Sequence, residues 1–235
     1  MTPFSVVEPE RAVHWTLVHA RGAHTRTFLH GQLSCDVLSL GEEGSVEGLV
    51  LTPAGVVLTS LSCRASAEGV DLVVRAEMAQ PTLDALRRFL LRTQCALEIG
   101  DETLGPYASV GEQVEGGVAG PAEFTHGLGA HSFGRSFVDA HVSFTKGCFT
   151  GQELVGRLDA RGGNVPFRLA RMRGESAEQL DRVARSAGPQ GERAIQGLTT
   201  AIHSRGVTAL AIVHRTLTGE ESDVTLEGVA VQVLS

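Results

Sequence analysis

The chain has 235 residues, of which 42% are hydrophobic and 20% are charged, enough for one large globular domain or two to three small ones. Its formal net charge of −7 argues against non-specific binding to nucleic acid or to a membrane surface. Residues Met1–Glu10 lack the basic stretch and apolar core of a secretory signal, and the four cysteines form no CxxC pair. We therefore expect a cytoplasmic protein without a disulfide scaffold, a zinc knuckle or a membrane span.

The first hundred residues show short strand and helix patterns. Ala12–Ala20 has apolar residues at alternate positions and predicts a strand, and a short helix holding Phe28 and Leu29 is expected to open at Gly22. Thr52–Gly55 predicts a hairpin turn between two further strands. The other predicted elements of this part are strands at Ser45–Leu51, Val56–Ser62, Val70–Arg75 and Cys95–Ile99, and a helix at Pro81–Arg92.

The second half of the chain is less regular. Gly105–Gly134 is Gly-rich and weakly periodic and predicts a loop, and the charged segment Glu175–Arg193 predicts a surface helix followed by a turn at Gly188-Pro189. Hairpins and single helices favour an α+β fold with antiparallel sheets over alternating βαβ units. A boundary after Pro166 divides residues 1–165, an α+β body, from residues 166–235, expected to form a small β-barrel. Three strands are expected in that barrel, at Ile195–Ile202, Thr208–His214 and Thr225–Leu234.

Lys146 is the only lysine among 20 lysine and arginine residues, and it opens the segment K-G-C-F-T-G-Q-E. An ammonium is a compact point charge with rotatable donors, whereas a guanidinium is a wide planar fork. A lysine that persists in so arginine-rich a chain therefore indicates a role that arginine cannot fill.

The same segment predicts a helix start beside a thiol. Thr150 and Glu153 have the spacing of a capping box, in which each side chain bonds the main-chain amide of the other residue. Cys148 lies just before this expected helix N-terminus and close to Lys146, and both favour its thiolate. We interpret Cys148 as a reactive or ligand-facing thiol; the alternative is a buried loop-to-helix junction with an inert thiol.

Three further side chains are candidates for binding a flat heterocycle. Trp15 is the only tryptophan and could stack on a ring such as a pterin, or could fill the core. Gln32 and Asp36 follow the first predicted helix and could hydrogen-bond a heterocycle edge, or could cap that helix. The nine histidines show no usual zinc spacing, so we expect no metal site.

Four stretches together resemble the YgfZ-like folate-binding proteins, which are relatives of the glycine-cleavage aminomethyltransferase (T-protein). The octapeptide from Lys146 to Glu153, followed by Arg157, is similar to the family signature K-G-C-[FY]-x-G-Q-E-x-x-x-R. The other three stretches are F-L-H-G-Q-L-S-C-D-V from Phe28, L-T-P-A-G-V-V from Leu51, and G-L-T-T-A from Gly197 with A-L-A and Arg215 after it.

The resemblance implies a ring-like α+β body with a C-terminal β-barrel and a channel that binds tetrahydrofolate. It implies that the activity depends on Cys148, which matches the signature cysteine. Lys146 is the second candidate catalytic residue, and from its charge we infer that it could meet the anionic glutamate tail of folate. The implied cofactor-binding residues are Trp15, Gln32, Asp36, Gln152, Glu153 and Arg157. The family is usually longer than this chain, and most of the deficit lies between Leu104 and His141.

The resemblance favours an accessory protein for iron–sulfur cluster assembly or repair, a process linked to tRNA modification, over a conventional enzyme. Its expected partners are folate and iron–sulfur client or assembly proteins, without direct nucleic-acid or membrane contact. One alternative is a folate-dependent aminomethyl or one-carbon transferase, with Asp36 as the candidate base. The other is a non-catalytic interaction module that has lost folate.

Overall fold

The computed structural model describes residues 6–185, 195–218 and 223–234, which fall into two compact units. The motif unit, named for the stretches it carries, contains His14–Tyr107 and Ser136–Gly162. The C-terminal unit contains Met1–Val13, Ala108–Arg135 and Gly163–Ser235. The break at Gly162–Gly163 lies close to the expected boundary, but Ala108–Arg135 belongs with the C-terminal part of the chain rather than with the body.

Strands and helices alternate irregularly along the described residues. The strands are β1 (Val6–Val7), β2 (Ala12–Arg21), β3 (Ser45–Leu51), β4 (Val57–Ser66), β5 (Gly69–Arg75), β6 (Ala96–Ser109), β7 (Phe167–Gly174), β8 (Ile195–His203), β9 (Val207–His214), β10 (Asp223–Leu226) and β11 (Val229–Val233). The helices are α1 (Thr25–Gln32), α2 (Ala79–Arg87), α3 (Val110–Gly116), α4 (Pro121–Phe124), α5 (Arg135–His141), α6 (Gln152–Asp159), α7 (Ala177–Arg185) and α8 (Arg215–Thr218).

The motif unit is built on a five-stranded sheet in the order β3-β4-β5-β2-β6. β4 pairs antiparallel with β3 and β5, and β5 pairs antiparallel with β2. Period-two alternation along β2 places Val18 and Ala20 in the core, together with Leu29 of α1. Trp15 therefore lies on the opposite face of β2, in register with Arg75 of β5.

The hairpin turn expected at Thr52–Gly55 is confirmed. The main-chain amide of Gly55 donates to the carbonyl of Thr52 (2.8 Å), and the amide of Thr52 donates to the carbonyl of Val56 (2.9 Å). Gly55 has a φ of 78°, a left-handed conformation that glycine adopts without steric cost. The turn joins β3 to β4 as the sequence indicates.

The C-terminal unit contains a six-stranded sheet in the order β1-β8-β9-β7-β11-β10. β1 pairs parallel with β8, and the other neighbours pair antiparallel. Leu180 and Val183 of α7 share a buried cluster with Met172 and Ala209. Among the described residues the strand order runs from β1 to β10 without closing, so the α+β class is confirmed but the expected C-terminal barrel is not.

The prediction of a loop at Gly105–Gly134 is wrong. β6 continues to Ser109, and α3 starts there with a capping box in which the Ser109 hydroxyl accepts from the amide of Glu112 and the Glu112 carboxylate accepts from the amide of Ser109. Glu123 of α4 accepts from the amide of Gly120 in the same way (2.7 Å). The glycines lower the helix propensity of this region, and the caps compensate for it.

Two other elements differ from the sequence patterns, and a third agrees with them. The single strand expected at Thr225–Leu234 is a hairpin, because Glu227 and Gly228 both adopt positive φ (47° and 80°) and turn the chain between β10 and β11. α2 begins and ends earlier than the predicted Pro81–Arg92 helix. The expected surface helix is confirmed as α7, whereas the turn at Gly188-Pro189 lies outside the described residues.

Candidate functional site

All eight residues singled out in the sequence lie in the motif unit. They occupy four places: Trp15 on β2, Gln32 at the end of α1, Asp36 before a 3₁₀ turn at Val37–Ser39, and the remaining five between α5 and the end of α6. Those five are Lys146, Cys148, Gln152, Glu153 and Arg157.

Lys146 is buried, with 9% of its surface exposed, and its ammonium closes the C-terminal end of α1. Nζ donates to the carbonyl of His30 and to the carbonyl of Leu33 (2.6 Å), and it lies 4.8 Å from the ring centroid of Phe149. The last carbonyls of a helix lack partners within the helix and carry partial negative charge. A compact ammonium can meet two of them at once, which explains a lysine here in a chain otherwise rich in arginine.

Burial lowers the pKa of Lys146 from 10.5 to about 8, because an ammonium loses hydration inside the unit. The acidic groups of Cys35, Asp36, Cys63 and Cys148 oppose this change. The sequence interpretation placed Lys146 mainly as an activator of Cys148. In the structure its hydrogen bonds go to main-chain carbonyls of α1, so it holds the loop to the helix.

The capping box expected at Thr150 and Glu153 is not formed. α6 begins after Gly151, which adopts a φ of 82°, and no side chain caps its N-terminus. The Thr150 hydroxyl instead donates to Oε1 of Gln32 (2.9 Å), and the Thr150 amide donates to the carbonyl of Gly31 (3.2 Å). A local cap has thus been replaced by contacts with α1, and Glu153 is left exposed.

Gly151 and Gly55 bring α6 against the β3–β4 turn. A Cβ on Gly151 would lie 2.6 Å from the carbonyl oxygen of Thr52, and a Cβ on Gly55 would lie 2.7 Å from Cβ of Leu154. Neither position has room for a side chain. Three of the four resembling stretches, distant in sequence, therefore meet: the end of α1, the hairpin turn, and the Lys146–Glu153 segment.

Cys148 is exposed on this assembly. It lies between the buried Lys146 and the buried Phe149, on the loop that Thr150 fastens to α1. The same fastening holds Gln32 in place, and the amide of Phe149 donates to Oε1 of Gln152 (3.4 Å). The arrangement presents a solvent-accessible thiol on a loop fixed from both sides. Cys148 is therefore not buried, contrary to what the alternative interpretation of this segment expected.

Asp36 and His30 form a second polar contact beside Lys146. The Asp36 carboxylate accepts from the amides of Leu38 (3.1 Å) and Ser39 (3.2 Å), and its Oδ1 lies 3.2 Å from Nδ1 of His30. Burial lowers the pKa of His30, the positive charge of Lys146 lowers it further, and Asp36 opposes both. Asp36 therefore caps the following turn. His30 was missed by sequence reasoning, although it lies inside the resembling F-L-H-G-Q stretch.

Trp15 is half-buried beside Arg75. The guanidinium carbon of Arg75 lies 5.8 Å from the indole centroid, within the range of a cation–π contact. The indole Nε1 is buried and has no hydrogen-bond partner among the described residues. A buried donor without an acceptor is uncommon in folded proteins, so this N–H marks a position where a ligand acceptor would be favourable.

The part of the chain that the structure describes contains neither a metal-binding cluster nor a membrane-spanning helix. No group of three or more histidine, cysteine, aspartate or glutamate side chains there is arranged to hold a metal ion. No helix in the same residues has the length and apolar character needed to cross a membrane.

Comparison with known proteins identifies the fold. No family model matches the sequence, and no curated protein matches it. Among solved structures, the crystal structure of the glycine cleavage system aminomethyltransferase T from Bartonella henselae matches with a TM-score of 0.67, covering 96% of this chain and 86% of that chain. The chain has a T-protein-like fold. Sequence identity to that T-protein is 15%, so the likeness concerns the T-protein fold and not the activity.

Proposed function

We propose that this protein is a folate-binding accessory protein that supports iron–sulfur cluster assembly or repair through Cys148. The observation that carries the proposal is the convergence of three resembling stretches on the loop that presents this thiol. The T-protein-like fold supports the folate part of the proposal. The iron–sulfur part rests on the resemblance of the Lys146–Glu153 segment to the YgfZ-like signature.

Folate would use Trp15 and its surroundings. The indole offers a flat face for a pterin and an unpaired N–H for one of its acceptor atoms. Lys146 is committed to two carbonyls, so the anionic glutamate tail would meet an arginine rather than this ammonium. Arg157, exposed on α6, is the signature residue available for that role.

Cys148 would act as a single thiolate donor to iron or sulfur species delivered to a client protein. One cysteine does not hold a stable cluster by itself, since four thiolate ligands are usual. The remaining ligands would come from the client or from a small thiol. The exposure of Cys148 and the fixed loop around it suit transient exchange with another chain.

The folate part is tested by calorimetric titration with tetrahydrofolate while Trp15 fluorescence is followed. We expect binding heat and quenching in the natural chain. The Trp15→Phe variant keeps an aromatic face but loses the N–H, so its affinity should fall by about three- to tenfold. Absence of heat with millimolar ligand would refute folate binding and favour the non-catalytic module.

The iron–sulfur part is tested in cells that lack the natural protein, by measuring the activity of iron–sulfur enzymes after oxidative stress. We expect the natural chain and the Cys95→Ala variant to restore activity and the Cys148→Ala variant to fail. Cys95 is a matched control because its Sγ accepts from Thr25 at the start of α1, whereas the signature loop contacts the end of that helix. Equal rescue by both variants would contradict a role for Cys148.

A second candidate function is folate-dependent one-carbon transfer, with which the T-protein-like fold is compatible. The Asp36 carboxylate already accepts two main-chain hydrogen bonds, so acting as the base would require it to share or break these contacts. Formation of methylene-tetrahydrofolate from an aminomethyl donor, abolished by Asp36→Asn, would support the transferase. Full turnover in that variant would remove Asp36 from the mechanism.

A further inference from the structure

Two cysteines outside the candidate site lie side by side in the core of the motif unit. Sγ of Cys35 is 3.9 Å from Sγ of Cys63, and the side chains are 4% and 0% exposed. Cys35 follows α1 and Cys63 lies on β4, 28 positions further along the chain. Nothing in the proposed function uses either thiol. We propose that Cys35 and Cys63 form a reversible disulfide when the protein meets a hydroperoxide.

The segment that contains Cys35 is hydrogen-bonded to β3, and this contact holds the Cys35 sulfur beside the sulfur of Cys63. Ser34 exchanges hydrogen bonds with Leu49 of β3: its amide donates to the Leu49 carbonyl (3.2 Å), and its hydroxyl accepts from the Leu49 amide (2.8 Å). Gly48 leaves the space that Cys35 fills, because a Cβ there would lie 2.5 Å from Sγ of Cys35. A disulfide needs the two sulfurs to close from 3.9 Å to ~2.0 Å.

The surroundings distinguish the two thiols. The S–H of Cys63 and the nearby charge of Lys146 lower the pKa of Cys35, whereas hydrogen bonding to Cys35 and burial raise the pKa of Cys63. Cys35 is also the more exposed of the two. It is therefore the sulfur that reacts first, and Cys63 resolves the product.

The steps balance with hydrogen peroxide as the oxidant. The Cys35 thiolate attacks one peroxide oxygen, the O–O bond breaks, and the leaving hydroxide takes the thiol proton as water. Cys63 then attacks the sulfenic sulfur of Cys35, the S–S bond forms, and the S–O bond breaks with release of a second water. Two thiols lose two electrons in total, and one peroxide gains them.

The Cys35–Cys63 disulfide would cross-link the elements that support the candidate site. The closed loop would contain β3 and the Thr52–Gly55 turn, against which Gly151 packs. It would also tie the segment after Leu33, whose carbonyl accepts from Lys146, directly to β4. A cross-link of this length restricts the unfolded chain, so the melting temperature of the oxidised form should rise by roughly 5–10 °C.

The test uses the natural chain. The reduced, folded protein is treated with hydrogen peroxide, quenched with catalase, unfolded in guanidinium with N-ethylmaleimide, and mapped by mass spectrometry. We expect a Cys35–Cys63 cross-linked peptide that dithiothreitol abolishes. The proposal would be overturned if Cys35 and Cys63 were still reduced thiols in molecules in which the exposed Cys148 is already oxidised. So would a cross-link that forms only when the oxidant is added in guanidinium.

Two variants sharpen the result. In the Cys95→Ala/Cys148→Ala variant only Cys35 and Cys63 remain. After oxidation the protein should stay monomeric, lose the mass of two hydrogens and have no thiol left to alkylate. A disulfide-linked dimer would overturn the proposal. Adding Cys63→Ala to that background removes the resolving thiol. Dimedone should then trap a sulfenic acid on Cys35, and continued loss of two hydrogens would contradict the assigned pair.

Discussion

Raising the pH should stabilise the natural chain relative to a Lys146→Met variant. Methionine keeps an unbranched apolar stem but carries no ammonium. The pKa of Lys146 falls from 10.5 in the unfolded chain to about 8 in the folded chain because the group is buried. Between these two values the unfolded chain binds more protons than the folded chain, so the free energy of unfolding rises with pH.

The magnitude follows from the width of that window. A fall in pKa from 10.5 to about 8 corresponds to ~3 kcal/mol of stability that is present above pH 10.5 and is lost as the pH falls through 8. The group is 9% exposed, so solvent screens this effect only slightly. The Lys146→Met variant lacks this pH-dependent contribution. The unfolding free energy of the natural chain minus that of the variant should therefore increase as the pH rises.

Urea denaturation followed by circular dichroism, at several pH values from about 7 to 10.5, measures this difference. Repeating the comparison with Cys35→Ala in both chains removes the thiol whose charge opposes the fall in the pKa of Lys146 most strongly. A difference that stays constant or narrows with rising pH would refute the assignment of a buried, destabilised ammonium.

Three further predictions concern the loop and its contacts. Gly151→Ala should lose about 2 kcal/mol or more of stability, because alanine at a φ of 82° would be strained and its Cβ would meet a main-chain carbonyl. The control is Gly156→Ala inside α6, where a Cβ meets nothing, and it should stay within ~1 kcal/mol of the natural chain in urea denaturation. Equal losses in the two variants would contradict this reasoning. Thr150→Val and Gln32→Leu should each lower the free energy of unfolding by ~0.5–1.5 kcal/mol, because each removes one partner of their hydrogen bond. In a double-mutant cycle the two losses should not be additive; additive losses would mean that the side chains do not interact. Iodoacetamide should modify Cys148 of the native chain well before the other three cysteines, as peptide mapping over time would show; uniform labelling would mean that the core opens readily.

The sequence predicted most of the sheet in the motif unit. Alternating apolar residues predicted β2, and the turn residues at Thr52–Gly55 predicted the hairpin that follows β3. Both signals are local, so neither depends on the rest of the fold. In Gly105–Gly134 the low helix propensity of glycine hid α3 and α4, although the spacing of Ser109 and Glu112 was a readable cap signal.

The contacts of the candidate residues could not be predicted from the sequence. Thr150 has two competing partners, the amide of a helix turn and the amide oxygen of Gln32, and the tertiary contact replaces the local one. Lys146 was expected to act on the neighbouring sulfur because only nearby residues are visible in a sequence. Its actual acceptors, the carbonyls of His30 and Leu33, lie more than a hundred positions away. The close approach of Cys35 and Cys63 has no local pattern at all.

The structure assigns different tasks to the two residues that open the signature. Lys146 is buried and its donors are used by the end of α1, so it cannot also meet a ligand in solvent. Cys148, two positions later, is exposed and free of that constraint. The proposed exchange of iron or sulfur with another chain requires an accessible thiol on a loop that does not collapse onto it. Anchoring the preceding lysine and the following threonine to α1 satisfies both requirements, and this explains why charge, glycine and sulfur occur together in one short segment.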